Sequence, residues 1–203
     1  TIVKKYDAEV HSQSAVDAAL GLRSLYGFAG ADVARVDIEI FDVAHLIIGG
    51  GAEGDKRLVR TKEQADHSLP YMIAAALLDG ELSPAQYTPE RILAADVQDL
   101  LQRVTICPNP GFSSRFPAEM PCRVTVTLTD GRRYELEARD YAGFHSRPAT
   151  WDGALAKFET LAKPFASQAV RGAITEAVWR LEDLDTSELT AALAQISFAE
   201  AIG

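Results

Sequence analysis

The sequence has few cysteines, and their spacing indicates neither a metal site nor a disulfide framework. Cys107 and Cys122 are the only two in 203 residues, fewer than an iron–sulfur cluster needs as ligands. An iron–sulfur enzyme of the aconitase type is therefore excluded, unless ligands come from elsewhere. Both cysteines lie in or beside strand-like segments, which predicts buried free thiols in a reducing cytoplasm.

Positive charge is also scarce, and long apolar runs are absent. Lysine and arginine total 20 against 29 aspartates and glutamates, so the formal net charge is -9. No basic cluster is present to neutralise phosphates, so nucleic acid is not an expected partner. No segment approaches the roughly 20 apolar residues that span a bilayer, and the polar start at 1–5 lacks a signal-peptide core. We therefore predict a cytoplasmic protein with no membrane partner.

The beginning of the chain predicts either a piece of a longer protein or an end left by processing. There is no initiator methionine, and an amphipathic pattern is under way within about a dozen residues. The 203 residues suffice for one sizeable domain, or for a domain followed by a helical appendage.

Apolar spacing predicts helices around a small antiparallel sheet. A short strand is predicted at 104–107, and strand-like alternation covers 35–40, 122–128 and 133–138. Asp130-Gly131 joins the last two strands and predicts a β-hairpin with a type I′ turn. Helical spacing predicts helices over 14–26, 69–78, 88–104, 150–165, 168–181 and 187–196. This pattern indicates an α+β fold, an antiparallel β-sheet with packed helices and then C-terminal helices.

The glycine-rich segment 49–54 matches the G-x-G-x-x-G pattern of dinucleotide-binding loops. In those loops an apolar helix opens directly after the last glycine. Here the charged Asp55-Lys56-Arg57 follows, and Asp55 stands where a Walker A loop requires lysine. We interpret the segment as a loop that binds no nucleotide.

The segment 61–71 combines a helix start with an acid and a histidine. Ser68 is the predicted N-cap, Asp66 and His67 come just before the helix, and Tyr71 lies in its first turn. Free N–H groups at a helix start suit a carboxylate, and His67 could donate to that carboxylate or transfer a proton. The alternative is that Asp66 and His67 only help to cap a structural helix.

A second polar cluster precedes the first helix. Glu9, His11 and Gln13 supply a carboxylate, an imidazole and an amide, and Lys4 and Lys5 come before them. This combination suits the binding of a polyanion and proton transfer. It is equally typical of a solvated polar terminus, so the residues alone leave both interpretations open.

The other two histidines indicate less. His45 interrupts the apolar run 43–48, where a lone histidine is typical of a satisfied core residue in a strand. His145 lies in a predicted loop. The four histidines have no close pairing, so no zinc site is predicted.

Several motifs follow the order and spacing of one protein family. Residues 8–19 resemble the A-E-[FV]-H-S-Q-[ST]-A-V-[DE]-A-A stretch of the MmgE/PrpD family. Residues 65–71 and 77–80 resemble its A-D-H-x-x-x-Y…L-L-D-G helix. Further matches occur in family order at Asp130-Gly131, Gly143-Phe144-His145, Lys157-Phe158 and Arg180-Leu181-Glu182. The resemblance covers essentially the whole chain.

The resemblance implies one part of a two-domain enzyme. The family has a large helical domain and a smaller α+β domain, and residues 1–164 resemble the second. Residues 165–203 resemble the closing helices, which in the family pack on the helical domain. The active site lies between the domains, so the N-terminal helical domain of the same protein is an expected partner. A homodimer is expected for the full-length form, and the isolated chain is expected to bind substrate weakly without turnover.

The resemblance also implies residue roles near the start of the chain. Lys4 is the nearest match to a site lysine of the family. Glu9 stands where the decarboxylase branch carries a site histidine, and it agrees instead with the dehydratase branch. His45 falls about where that decarboxylase has a site tyrosine. These departures weigh against decarboxylation of cis-aconitate.

The predicted activity is dehydration of 2-methylcitrate or a related small tricarboxylic acid, without a cofactor or metal. His11 and His67 match family motifs and are the catalytic candidates for proton transfer. The candidate substrate-binding residues are Lys4, Glu9, Ser68, Tyr71 and His45. A family isomerase, epimerase or decarboxylase would use the same α-proton abstraction, and a non-catalytic interaction domain is the remaining alternative.

Overall fold

The chain forms two compact units. The computed structural model describes residues 2–51 and 54–196, and the units are Thr1–Pro148 and Ala149–Gly203. The predicted domain boundary between 164 and 165 stays a prediction. Within the second unit, Arg171 Nε lies 2.6 Å from Glu159 Oε2. The packing of residues 165–203 on a further helical domain stays a prediction.

The first unit carries the sheet and every candidate site residue. Its elements in chain order are α1 (Gln13–Tyr26), β1 (Val33–Ile40), α2 (Asp42–Ile48), α3 (Lys62–Ala65), α4 (Leu69–Asp79), α5 (Pro89–Ile92), α6 (Ala95–Leu101), β2 (Val104–Pro108), α7 (Pro110–Ser113), β3 (Cys122–Leu128) and β4 (Arg133–Ala138). Short 3-10 turns lie at Val10–Ser12, Gly30–Asp32 and Pro84–Tyr87. The second unit contains α8 (Trp151–Ala162), α9 (Gln168–Trp179) and α10 (Thr186–Leu193). None of the helices in the described ranges is long and apolar enough to cross a membrane.

The four strands form a mixed sheet in the order β2-β1-β3-β4. Strand β3 is antiparallel to both β1 and β4, but β2 runs parallel to β1, with Ile106 opposite Ile38. The predicted α+β class is confirmed, and the prediction of a purely antiparallel sheet is wrong. The described part of the connection from β1 to β2 contains helices α2 to α6, and a connection of this length allows β2 to return in the parallel direction. A short turn forces two strands to be antiparallel only when they form a hairpin, as β3 and β4 do.

One face of the sheet is apolar and covered by helices. Val36, Ile38 and Ile40 of β1 are buried at every second position, as the period of a strand requires, and α1, α4 and α6 pack on the sheet. Helix α4 is enclosed almost throughout, since Leu69 to Leu77 are all buried. Burial of each large apolar side chain contributes roughly 1.5–3 kcal/mol, so α4 is a rigid element. The residues just before α4 are therefore attached to a fixed scaffold.

Two local predictions need correction. The hairpin has a three-residue loop, because the Leu128 N–H donates to the Arg132 carbonyl and Gly131 takes a left-handed φ of 88°. It is therefore not the predicted two-residue type I′ turn. Cys122 is buried as expected, but Cys107 is exposed on the edge strand β2. The alternation of apolar residues along an edge strand does not show whether another element covers that strand, so the exposure of Cys107 could not be predicted from it.

Candidate active site

Two carboxylate–imidazole pairs lie next to each other before α1 and α4. Glu9 Oε1 is 2.7 Å from His11 Nδ1, and Asp66 Oδ1 is 2.6 Å from His67 Nδ1. The backbone N–H of Glu9 donates to the carbonyl of Asp66 at 3.3 Å. This bond joins two segments that are more than fifty residues apart in the sequence.

The first pair is tightly held. The other oxygen of the Glu9 carboxylate accepts the backbone N–H of His11 at 2.8 Å, and the Ser12 hydroxyl donates to the Glu9 carbonyl at 2.6 Å. The His11 ring lies 5.7 Å from Phe41 and 5.8 Å from Phe116, centroid to centroid. Because a carboxylate can only accept, His11 presents Nδ1–H to Glu9 and keeps Nε2 as its acceptor.

The second pair is more open to solvent. Asp66 ends α3, and its second oxygen binds the Lys62 ammonium at 3.2 Å. The His67 side chain is 57% exposed, whereas that of His11 is only 16% exposed. His67 therefore has the freer access to bulk water for proton exchange, while its carboxylate partner is fixed by α3.

A cavity of about 280 Å³ brings most of these groups together. Its walls are formed by Lys4, Asp7, Ala8, Glu9, Val10, Asp66 and His67. The Lys4 ammonium donates to the Ala8 carbonyl at 3.0 Å, which holds a positive charge beside the two carboxylate–imidazole pairs. His11 is not one of the lining residues and is connected to the cavity only through its hydrogen bond with Glu9. The Lys4 ammonium and the His67 imidazole can bind an anionic group and exchange a proton with it, whereas the carboxylates of Asp7, Glu9 and Asp66 add negative charge to the same walls.

Gln13 supports the segment that carries the cavity. Its side chain is fully buried, and its amide oxygen accepts the Tyr6 N–H at 2.9 Å. Its amide nitrogen donates to the carbonyls of Tyr6 and Ala8, at 3.2 and 3.4 Å. The sequence placed this amide beside the candidate site but did not show that its hydrogen bonds go to the backbone. The sequence signal for this supporting role is an amide side chain in the first turn of a helix, on the face that is buried.

Ser68 and Tyr71 lie in the core and not at the cavity. Ser68 is the N-cap of α4, as predicted: its hydroxyl accepts the Tyr71 N–H at 3.1 Å and donates to the Lys56 carbonyl. Tyr71 is 0% exposed, and its hydroxyl donates to the carbonyl of Gln86. The predicted role of both residues in substrate binding has no support from this geometry.

His45 lies in a helix, so the predicted strand at 43–48 is wrong. Ala44 and Ile48 are buried four residues apart, the spacing of a helix, and a short apolar run does not distinguish the two structures. His45 lines a second cavity of about 390 Å³ together with Lys56, Arg57 and Pro70. This cavity and the first one border opposite ends of the segment 66–70.

The glycine-rich segment 49–54 is described only in part, since 52 and 53 lie outside the described residues. Gly49, Gly50 and Gly54 line the second cavity together with His45. Within residues 2–51 and 54–196, no three His, Cys, Asp or Glu side chains converge in a way that could hold a metal ion.

Replacing Tyr71 with phenylalanine tests whether its hydroxyl serves the fold. The change leaves the buried Gln86 carbonyl without its donor, so we expect a loss of about 1–3 kcal/mol in unfolding free energy at pH 7. Burial raises the pKa of Tyr71 to about 12, above its ordinary 10.0. A group whose pKa is raised on folding stabilises the folded state fully below pH 10, and this stabilisation is lost as the pH rises toward 12. Phenylalanine has no group that titrates, so the unfolding free energy of Tyr71→Phe should fall less than that of the wild type over this pH range.

The measurement is urea unfolding followed by circular dichroism at pH 7 and at intervals above pH 10. Tyr26→Phe is the matched control, because the Tyr26 ring is 44% exposed, and it should change stability by less than about 0.5 kcal/mol. Unchanged stability of Tyr71→Phe at pH 7 would contradict a structural role for this hydroxyl.

Comparison with known proteins agrees with the motifs. The sequence model of one protein family, described as the MmgE/PrpD C-terminal domain, matches residues 6–183. A 2-methylcitrate dehydratase from Salmonella typhimurium is 30% identical over 149 residues, which cover 70% of this chain and 30% of that protein. One from Cupriavidus necator is 33% identical over 152 residues, with the same coverage. A cis-aconitate decarboxylase from Mus musculus is 23% identical over 194 residues, or 92% of this chain and 38% of that protein.

These alignments place the similarity in one region of larger proteins. The chain spans about 30% of the length of the 2-methylcitrate dehydratases that it matches. The matched residues 6–183 include both carboxylate–imidazole pairs and the whole sheet. Since the family model matches most of the chain, this chain belongs to the MmgE/PrpD family and is its C-terminal domain.

Proposed function

We propose that this chain is the C-terminal domain of a cofactor-independent lyase that dehydrates 2-methylcitrate or a related small tricarboxylic acid. The observation that carries the proposal is the pairing of two imidazoles with two carboxylates beside one cavity. Dehydration needs a base and an acid at once, and two oriented imidazoles supply both. The relatives named 2-methylcitrate dehydratase support the substrate class.

The proposed reaction breaks two bonds and forms one double bond. A neutral imidazole removes the proton from the carbon next to a substrate carboxylate, and the C–H electron pair forms the new C=C bond. The hydroxyl on the adjacent carbon leaves as water after the other imidazole, in its protonated form, donates to it. His11 and His67 are the two proposed groups, and Lys4 stabilises the negative charge that develops on the substrate carboxylate.

The proposal assigns this chain one wall of the active site. The relatives are more than twice as long. We propose that a helical domain of the same protein forms the other side of the cavity. The isolated chain then binds the substrate weakly and does not turn it over. A homodimer of the full-length protein remains part of this proposal.

Glu9 favours dehydration over decarboxylation within the family. The family resemblance implies a histidine at that position in the decarboxylase branch, whereas here the carboxylate of Glu9 binds His11. An epimerase or isomerase would use the same α-proton abstraction and return the proton without loss of hydroxide. The reaction products therefore discriminate among these activities.

The test uses the parent protein, meaning the open reading frame that contains this chain. Incubation with 2-methylcitrate in deuterated water is expected to yield the dehydrated acid, observed by the ultraviolet absorbance of its conjugated double bond and by mass spectrometry. Deuterium incorporation without dehydration would identify an epimerase, and carbon dioxide release from cis-aconitate a decarboxylase. An open reading frame without a helical domain would favour the non-catalytic alternative. Steady-state turnover by the 203-residue chain would contradict the proposal that this chain forms only one wall of the active site.

A further inference from the structure

Residues 3–9 form neither helix nor strand, yet this segment contributes most of the residues that line the candidate-site cavity. Near its start, the Val3 N–H donates to the Gly143 carbonyl at 2.8 Å. At its end, the Glu9 N–H donates to the Asp66 carbonyl at 3.3 Å. Backbone between these two points has no regular ladder of hydrogen bonds, so its course depends on the side chains that bind it. Helix α1 supplies such side chains.

Tyr6 is the residue through which α1 holds the segment. Its N–H donates to the Gln13 amide oxygen at 2.9 Å, and its hydroxyl donates to Asp17 Oδ1 at 2.6 Å. Gln13 and Asp17 are four residues apart in α1, so both side chains project from the same face of the helix. Burial, and then the hydrogen bond to Asp17, raises the pKa of the Tyr6 phenol, so the hydroxyl is protonated and donates at neutral pH.

The two lysines that precede Tyr6 are held differently. The Lys5 ammonium binds the same Asp17 oxygen at 2.6 Å. Lys4 lines the cavity instead, and its ammonium donates to the Ala8 carbonyl at 3.0 Å. Because the Lys5 side chain is 44% exposed, its ion pair contributes little free energy, and the Tyr6 hydrogen bond is the main link to Asp17. Asp17 is therefore bonded to the two residues that follow Lys4 in the chain.

We propose that Asp17 is a positioning residue for Lys4. By binding the Tyr6 hydroxyl, Asp17 fixes the course of the segment that carries Lys4 and so holds the ammonium where a substrate carboxylate would bind. An ammonium that is already in place costs the substrate less free energy on binding than one that must first be ordered. Asp17 is not one of the residues that line the cavity. The effect on catalysis rests on the proposed function, whereas the effect on the segment does not.

The first test measures hydrogen exchange of the Tyr6 backbone N–H by NMR in the 203-residue chain. Asp17→Ala should speed this exchange about tenfold, since the loss of a hydrogen bond to a charged group shifts local opening by roughly that factor. Tyr6→Phe removes only the hydroxyl and should have the same effect. Asp17→Asn should stay within about threefold of the wild type, because the amide oxygen still accepts from the phenol. Wild-type exchange in Asp17→Ala or in Tyr6→Phe would overturn the proposal.

The second test asks whether Asp17 acts through Lys4 in the parent protein. Asp17→Ala should lower kcat/KM about tenfold, because the ammonium is no longer held for the substrate carboxylate. In a Lys4→Met background the same change should alter kcat/KM by less than about twofold, since the group that Asp17 positions is already absent. An equal loss of kcat/KM in both backgrounds would show that Asp17 acts on the fold in general, and it would overturn the proposal.

Asp99→Ala is the matched control. Asp99 is also a helix carboxylate in an ion pair, 2.6 Å from Arg103 Nη2, but it is 73% exposed and is not one of the residues that line the cavity. That variant should keep wild-type exchange at the Tyr6 N–H and wild-type kcat/KM, and the changes expected for Asp17→Ala would overturn the proposal if they appeared here. If the wild-type parent protein does not convert tricarboxylates, the proposed function fails, while the exchange of the Tyr6 N–H still decides whether Asp17 holds the segment.

Discussion

His67→Gln is expected to lower the kcat of the parent protein at least about 100-fold, because positioned proton transfer contributes roughly 10²–10⁴ to such reactions. Glutamine keeps a polar side chain of similar length but cannot exchange a proton near neutral pH. The His67 side chain is 57% exposed, so the change should alter unfolding free energy by less than about 0.5 kcal/mol. The loss should therefore appear in the chemical step and not in the amount of folded protein.

The design includes a second variant and a matched control. Asp66→Asn keeps the shape of the partner, but its amide NH₂ group can turn toward the ring and favour the wrong proton position, so kcat should fall as well. His145→Gln is the control, because His145 is exposed and lies outside the residues that line the cavity. Wild-type kcat in His67→Gln would remove His67 from the proposed mechanism and leave His11 as the sole candidate.

Gly30→Ala is expected to destabilise the first unit by about 3 kcal/mol, the upper part of the range for an overpacked core. Gly30 is buried in a 3-10 turn that packs on the last turn of α4. A Cβ atom there would lie 2.4 Å from the Leu77 carbonyl oxygen and 2.5 Å from Leu78 Cα. Both contacts are with backbone atoms of a rigid helix, so no side-chain rotation can relieve them.

Gly21→Ala is the matched control for that experiment. Gly21 lies inside α1, and a Cβ atom there would only meet Leu136 Cδ2 at an ordinary 3.7 Å. Alanine is the better helix former, so the control should gain about 0.5–1 kcal/mol. Urea unfolding by circular dichroism measures both variants. Equal stability of Gly30→Ala and the wild type would mean that the turn and α4 do not approach as closely as described.

Local chemistry accounts for the parts of the fold that the sequence predicted. The β3–β4 hairpin follows from the period-two pattern on both sides of Asp130-Gly131, and these signals lie within a few residues of one another. The start of α4 follows from Ser68, because an N-cap acts on the backbone of the next turn. The sequence also contains the information for two side-chain pairs, His67 with Asp66 and His11 with Glu9, because the residues of each pair are adjacent or nearly adjacent in the chain.

Local signals in the sequence therefore account for the short-range structures and for the identity of the polar groups before α1 and α4. The folded structure was needed to establish that β2 runs parallel to β1, that His45 lies in a helix beside a different cavity, and that Tyr71 is enclosed. It also decided that the Glu9 and Asp66 segments are joined by a backbone hydrogen bond. The parallel β2, the enclosed Tyr71 and the joined segments all depend on contacts between residues far apart in the chain, whose energies leave no period or spacing in the local sequence. The helix at His45 was not predicted because a short apolar run fits a helix and a strand equally well.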